Sequence, residues 1–300
     1  GEGHVATLLA SNNLAAAYHG LGEFAKATRL LEKTSEDCRN KLGETHPFTI
    51  GSISNLAMLR LCAGETSKAI ASLEKMLETQ RARWGQDHPD TLGSLDNLAG
   101  AYYAANQLSQ AVPLYENALK AMRAKLGEDH PTTVNTLSNL AMTYRQAERF
   151  DEAIALLQPA LGRLRQREPI DRNLLAATLN ALGWTLLDAK RPAEAEPLLR
   201  ESLELRQAKP PTNWRVALTQ SQLGQALMDQ GKLDEAAPLL IQGDEGLRTD
   251  RQRIPFQDQP RLVESARRLA RLYEALELPE EAALWRAEAE FRAKRLPQAK

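Results

Sequence analysis

A period of 42 residues governs this chain. Gly1, Gly43, Gly85 and Gly127 stand 42 residues apart, as do His4, His46, His88 and His130, and Asn13, Asn55, Asn97 and Asn139. The copies read GEGHVATLLASNNLA, GETHPFTIGSISNLA, GQDHPDTLGSLDNLA and GEDHPTTVNTLSNLA. The register continues through Leu182, Leu223 and Leu269 at intervals of 42, 41 and 46 residues, giving seven units. Self-similarity at such a length is the mark of an array in which each unit buries its apolar face only against its neighbours.

Each unit has the grammar of a helix pair. In residues 85–126, Gly85 suits a left-handed close to the preceding helix, and Pro89 suits a first helical position. Leu92, Leu95, Leu98, Ala99 and Tyr102 recur at helical spacing. After the polar break Asn106-Gln107, Ser109 is the expected N-cap of a second helix. Asp151 and Asp234 fill the same slot later. That helix carries Ala111, Leu114, Tyr115, Ala118, Leu119 and Met122 on one stripe. Pro113, Pro197 and Pro238 share an early position in their second helices, where a missing amide hydrogen costs least. Pro159, with Gly162 close behind, predicts a kink or early break, and Pro210-Pro211 interrupts the sixth junction.

Small residues supply the close approach that stacking needs. Ala15, Ala57, Ala99, Ala141, Gly183, Gly224 and Ala270 hold one slot; Ala27, Ala69, Ala111, Ala153, Ala195, Ala236 and Ala282 hold another. The expectation is an all-α, right-handed α-solenoid of about seven helix-turn-helix repeats. Residues 1–168 would form four regular 42-residue units, 169–255 two divergent units, 256–294 a C-terminal capping unit and 295–300 a tail.

These features resemble the tetratricopeptide repeat family. Leu98-Ala99, Tyr102, Ala111, Tyr115 and Ala118 match its leucine, small, aromatic, small, bulky and small positions. The 42-residue length, the GxDHPxT junction and the SNLA segment are similar to the kinesin light chain type of repeat. The likeness is strong over 1–168 and thinner over 169–254, where Asn180-Ala181-Leu182-Gly183 replaces SNLA. It is weak in 256–294, where Arg286 stands in the slot of Tyr115, a polar exchange that suits a terminal unit facing water. The stretch NWRVALTQSQLGQALMDQGKLDEAAPLLIQGDEGL resembles arrays attached to bacterial serine/threonine protein kinases. The chain itself has no Gly-rich phosphate loop, HRD or DFG.

Composition excludes several functions. Thirty-eight Lys and Arg against thirty-nine Asp and Glu leave a net charge of −1, so no large basic surface suits nucleic acid. No apolar run approaches the roughly 20 residues that span a bilayer. Gly1-Glu2-Gly3-His4 reads as a cut through something longer, with no signal peptide, and a cytoplasmic location is expected. Cys38 and Cys62 read as buried apolar side chains. The four histidines at this period, His4, His46, His88 and His130, cannot converge on an ion from helices roughly 8–10 Å apart, and are expected to bond junction backbone instead. His19 reads as a lone surface or groove residue. No HExxH, GxSxG, Walker loop or CxxC is present, so no catalytic residue, metal or cofactor is expected.

The asparagine row carries the functional expectation. Asn is a mediocre helix former, so Asn13, Asn55, Asn97 and Asn139 inside first helices need a reason. In the family the matching Asn lines the concave groove and contacts the backbone of an extended peptide, a task suited to a carboxamide. The bland alternative is that each Asn bonds a neighbouring repeat. Ala181, Gln222 and Arg268 continue the row, and Tyr103, Arg145, Gln146, Trp184, Gln225, Arg267 and Arg271 share the predicted face. Trp184 reads either as a stacking anchor or as filler of the space beside Gly183; Arg267, Arg268 and Arg271 read as a small positive cluster. The expected function is a non-catalytic scaffold gripping peptide segments in this groove. The alternative is a regulatory or oligomerisation arm of a larger signalling enzyme such as a bacterial serine/threonine kinase, which leaves self-association open.

Overall fold

The computed structural model describes residues 5–21, 23–207, 213–254 and 258–296. Among these residues every α-helix falls into a pair. The pairs are α1 (Val5–Gly20) with α2 (Phe24–Leu42), α3 (Pro47–Cys62) with α4 (Thr66–Trp84), and α5 (Pro89–Ala104) with α6 (Leu108–Leu126). They continue as α7 (Pro131–Gln146) with α8 (Phe150–Gln166), and α9 (Arg172–Asp188) with α10 (Pro192–Gln207). The last are α11 (Trp214–Met228) with α12 (Leu233–Thr249) and, after a short 3-10 turn at Arg251–Arg253, α13 (Arg261–Ala275) with α14 (Pro279–Lys294). The chain divides into two compact units, one ending at Asn139 and one spanning Leu140–Leu296.

Within unit 1, α2 packs on α3 and α4 on α5, while the first helices α1, α3 and α5 touch in sequence. Unit 2 repeats the scheme through α8–α9, α10–α11 and α12–α13, with α9, α11 and α13 in line. The small-residue slots lie at the contacts. Ala27, Ala69, Ala111, Ala153, Ala195, Ala236 and Ala282 are all fully buried. At Gly183 an added Cβ would stand 2.8 Å from Leu199 Cγ, and at Gly224 2.6 Å from Leu240 Cγ. Leu199, not Trp184, therefore fills the space beside Gly183.

The junctions follow local chemistry. Gly43, Gly85 and Gly127 take φ of 87 to 88° with ψ of 163 to 168°, a region open to glycine alone. His46, His88 and His130 then accept, through Nδ1, the backbone N–H of Phe48, Asp90 and Thr132, each at 3.2 Å. These imidazoles cap the helices that the following prolines start, as expected. Inside the repeats the turn hinges on a left-handed residue at Gly64, Asn106, Glu148, Lys190, Gly231 and Glu277, a slot that keeps the sequence period.

Several local expectations need correction. Ser109 is not an N-cap: α6 starts at Leu108 behind Gln107, and no side chain caps it. Asp151 and Asp234 lie in the first turns of α8 and α12, behind Arg149 and Lys232, where they complement the positive end of the helix dipole. Pro113, Pro197 and Pro238 are sixth in their helices, just past the turn of free amides, so each removes one ladder bond. Pro159 does not end its helix, because α8 runs on to Gln166. Its ring is exposed, while Leu157, Ala160, Leu161 and Leu164 bury the other side and hold the helix together. Pro210-Pro211 lies outside the described residues, as do Gly1 and His4. In the last pair, Arg286 is exposed and bonds Glu274, matching the expected wet face, but Leu284 and Phe291 on α14 are exposed too.

Candidate functional site

On the first-helix face of unit 1, Asn13, Asn55 and Asn97 are exposed, while Asn139 and Tyr103 are half-buried. Two members of the Asn row, Asn97 and Asn139, have partners one repeat earlier. Asn97 Nδ2 donates to Ser54 Oγ at 3.2 Å, and Asn139 Nδ2 donates to Asp96 Oδ2 at 3.4 Å. The acceptor slot directly precedes the Asn slot, so the ladder runs diagonally from one first helix to the last. Asp96 also accepts from Thr136 Oγ1 at 2.7 Å. Burial pushes its carboxyl above the ordinary range, against the pull of the Thr136 and Asn139 donors. One carboxamide N–H is thus spent on stacking in each bond, while the exposed Asn97 retains its second N–H and its Oδ1 toward solvent.

Unit 2 continues the ladder with different residues. The Ala181 position is silent, but Gln222 Oε1 accepts from Asn180 Nδ2 at 2.6 Å. Arg268 donates to Gln225 Oε1 at 2.6 Å and to Ser221 Oγ at 3.1 Å. Gln222 is fully buried and Arg268 nearly so, which corrects the expectation that both line an open groove. Desolvation pulls the Arg268 guanidinium below its usual range. Arg271 is exposed but pairs with Asp229 at 2.7 Å, and Arg267 is exposed. The three arginines are therefore not one open cluster.

Trp184 is 6% exposed, so it presents no open stacking face. Its ring carries the Arg145 guanidinium 3.6 Å from the centroid and that of Arg261 at 3.7 Å. Arg145 is also fixed by Asp188 at 2.5 Å, and Arg261 by Glu264 at 2.8 Å. Sequence reasoning missed Arg261 and Asp188. The one signal was the 46-residue interval before Leu269, which lengthens the junction ahead of Arg261. His19 also differs from expectation: its Nε2 lies 3.9 Å from Cys62 Sγ, and burial lowers its pKa. Cys38 and Cys62 are buried, and burial pushes the Cys62 thiol up to about 11, away from reactivity.

Among the described residues, no group of three or more His, Cys, Asp or Glu is placed to hold a metal ion. No helix among them is long and apolar enough to cross a membrane.

A tetratricopeptide repeat model matches residues 6–82 and 90–166, and a second such model matches 175–209 and 216–243. The chain belongs to the tetratricopeptide repeat family. Its repeats are of the kinesin light chain type. A Podosopora anserina protein described as a kinesin light chain with nearly identical TPR-like repeats is similar at 25% identity, over 67% of this chain and 95% of that one, with a TM-score of 0.59. BtubC (BKLC) from P. vanneervenii shares the fold at 21% identity, over 75% and 91% of the two chains, with a TM-score of 0.65. NprR in complex with its cognate peptide NprX shares it at 16% identity, over 96% and 79%, with a TM-score of 0.61. No curated protein matches the chain. The repeat family accounts for the paired helices.

Proposed function

We propose that this repeat protein is a non-catalytic interaction module whose first-helix face takes an extended peptide segment. The observation that carries this reading is the exposed row Asn13, Asn55 and Asn97, with Tyr103 half-buried beside it on α5. A carboxamide that gives one N–H to the repeat before it keeps a donor and an acceptor for a peptide main chain. Tyr103 offers aromatic area at low entropic cost, a common property of binding hot spots. The peptide held by NprR, a protein of the same fold, supports the reading.

Selection of peptides from a display library on the full chain, followed by titration against variants, tests it. Asn55→Ala with Tyr103→Ala should weaken a selected peptide by about tenfold, or roughly 1.4 kcal/mol. Glu78→Ala, exposed on second helix α4, should leave affinity unchanged. Equal affinity for the Asn55/Tyr103 variant and the parent would remove the first-helix face from the function.

A further inference from the structure

The grooves between successive second helices of unit 1 are not filled alike. Between α2 and α4 the Arg60 guanidinium, from α3, spans the gap, donating to Glu32 Oε1 at 3.2 Å and to Ser72 Oγ at 2.9 Å. The hollow that remains there is 280 Å³, and Glu44 inside it stands 4.0 Å from Arg39 and 3.6 Å from Lys75, so its charges meet one another. One period of 42 residues later, Glu74, Tyr102 and Leu114 take the places of Glu32, Arg60 and Ser72. No side chain bridges this second groove as Arg60 does the first, and the hollow between α4 and α6 is 540 Å³, a size that suits a small molecule.

Leu77, Leu98, Pro113 and Leu114 give this hollow apolar walls, and α4 adds the charges of Glu74, Glu78 and Arg81. Tyr102 donates its hydroxyl to Glu74 Oε1 at 2.6 Å, and that bond pushes the phenol up to about 12, so it stays a donor at neutral pH. The second oxygen of Glu74 is left for another donor, and among the described residues neither Glu74 nor Glu78 has an ion pair. Arg81 lies seven residues beyond Glu74, roughly 10 Å along the helix axis, and leaves the Glu74 end negative.

Both neighbouring repeats place a cation where this one has none. Arg60 is that cation in the repeat before. In the repeat after, Tyr144 repeats Tyr102, and the Arg149 guanidinium lies 4.3 Å from its ring centroid. Gln107 holds the slot of Arg149 beside Tyr102, and among the described residues no other cation stacks on that ring.

We infer that the hollow between α4 and α6 binds a small organic monoamine, an ammonium group carried on an aromatic body. The ammonium takes the place that the Arg60 guanidinium has one repeat earlier, donating to the free oxygen of Glu74 and to Glu78 beside the Tyr102 ring. The aromatic body fills the apolar space between α4 and α6. Arg81 at the other end opposes a second positive charge, which favours a monoamine over a diamine.

Isothermal titration calorimetry of the full chain with tryptamine is the test. Indole-3-propionate, which carries a carboxylate on the same ring, should bind at least about tenfold more weakly, and so should 1,4-diaminobutane. Glu74→Gln, at an exposed position, should weaken tryptamine by about tenfold. Tyr102→Arg with Leu114→Ser installs the Arg60–Ser72 bridge in this groove and should abolish binding, with helicity checked by circular dichroism. If that double variant loses helicity, Glu74→Gln and the probe series decide the matter. Absence of tryptamine binding to the parent would overturn the proposal, as would equal affinity for indole-3-propionate or for Glu74→Gln. Acetyl-lysine amide with a free side-chain ammonium, if it binds as tightly as tryptamine, would overturn it in favour of a partner's lysine.

Discussion

Gly93 and Gly224 both lie inside first helices, but their surroundings differ. Nothing stands within 4 Å of a Cβ built on Gly93, whereas one built on Gly224 meets Leu240 Cγ at 2.6 Å and the Ala236 carbonyl at 3.2 Å. Gly93→Ala should stabilise by about 0.5–1 kcal/mol, because alanine lowers the entropy lost in forming the helix. Gly224→Ala gains the same term but forces Leu240 and α12 outward, and overpacking costs about 1–3 kcal/mol. Its net effect should be destabilising. Urea midpoints of the two variants should move in opposite directions. The alanine and glycine slots were visible as a column in the sequence, but which glycine could accept a methyl group was not. That depends on where Leu240 sits, a whole helix away.

At the level of helices, side chains from neighbouring pairs lock elements together. Glu196 on α10 accepts from Lys232 Nζ at 2.7 Å and from Gln230 Nε2 at 2.8 Å, and it also pairs with Arg200. These donors, Lys232 foremost, bring its carboxyl from its ordinary 4.5 down to about 2. A folded pKa below the unfolded one adds stability that is fully present above about 4.5 and is lost as pH falls through about 2. Acid titration should therefore show the parent losing more stability across that window than Glu196→Gln, read as the difference in their urea midpoints. An identical loss in both would show that Glu196 does not couple α10 to α12. Helix starts at His46, His88 and His130 were legible because a capping imidazole and its proline are adjacent in sequence. The starts of α6, α8 and α12 were misplaced by a residue or two, since no side chain marks them.

At the largest scale, helix packing runs between adjacent repeats, with Arg261 over Trp184 a contact that skips one, so damage at one end should stay local. Arg292 on α14 grips the carboxylate of Asp244 on α12, at 2.5 Å and 3.1 Å, and Asp244 is 1% exposed. Ser265 on α13 donates to the same carboxylate at 2.7 Å. Arg292→Ala leaves a buried charge with weakened compensation, a change that costs about 3–5 kcal/mol. Hydrogen exchange should show protection lost in α12, α13 and α14, fading toward α9, with amides of α1–α6 unchanged. Uniform loss along the chain would contradict a nearest-neighbour array.

The period, the helix pairs and the family were settled by sequence alone, because each depends on residues within one 42-residue unit. The Asn row was also visible, but its main employment was not. Asn97 bonds Ser54 and Asn139 bonds Asp96, so the partner of each lies one repeat earlier and its reach depends on how helices stack. Trp184 shows the limit most clearly. The guanidinium against it comes from Arg261, 77 residues later and two first helices away, so no local pattern could announce that the ring would be covered. Periodicity fixed which residues face the same way; only the stacked structure decided which of them remain open to a ligand and which are spent holding one another.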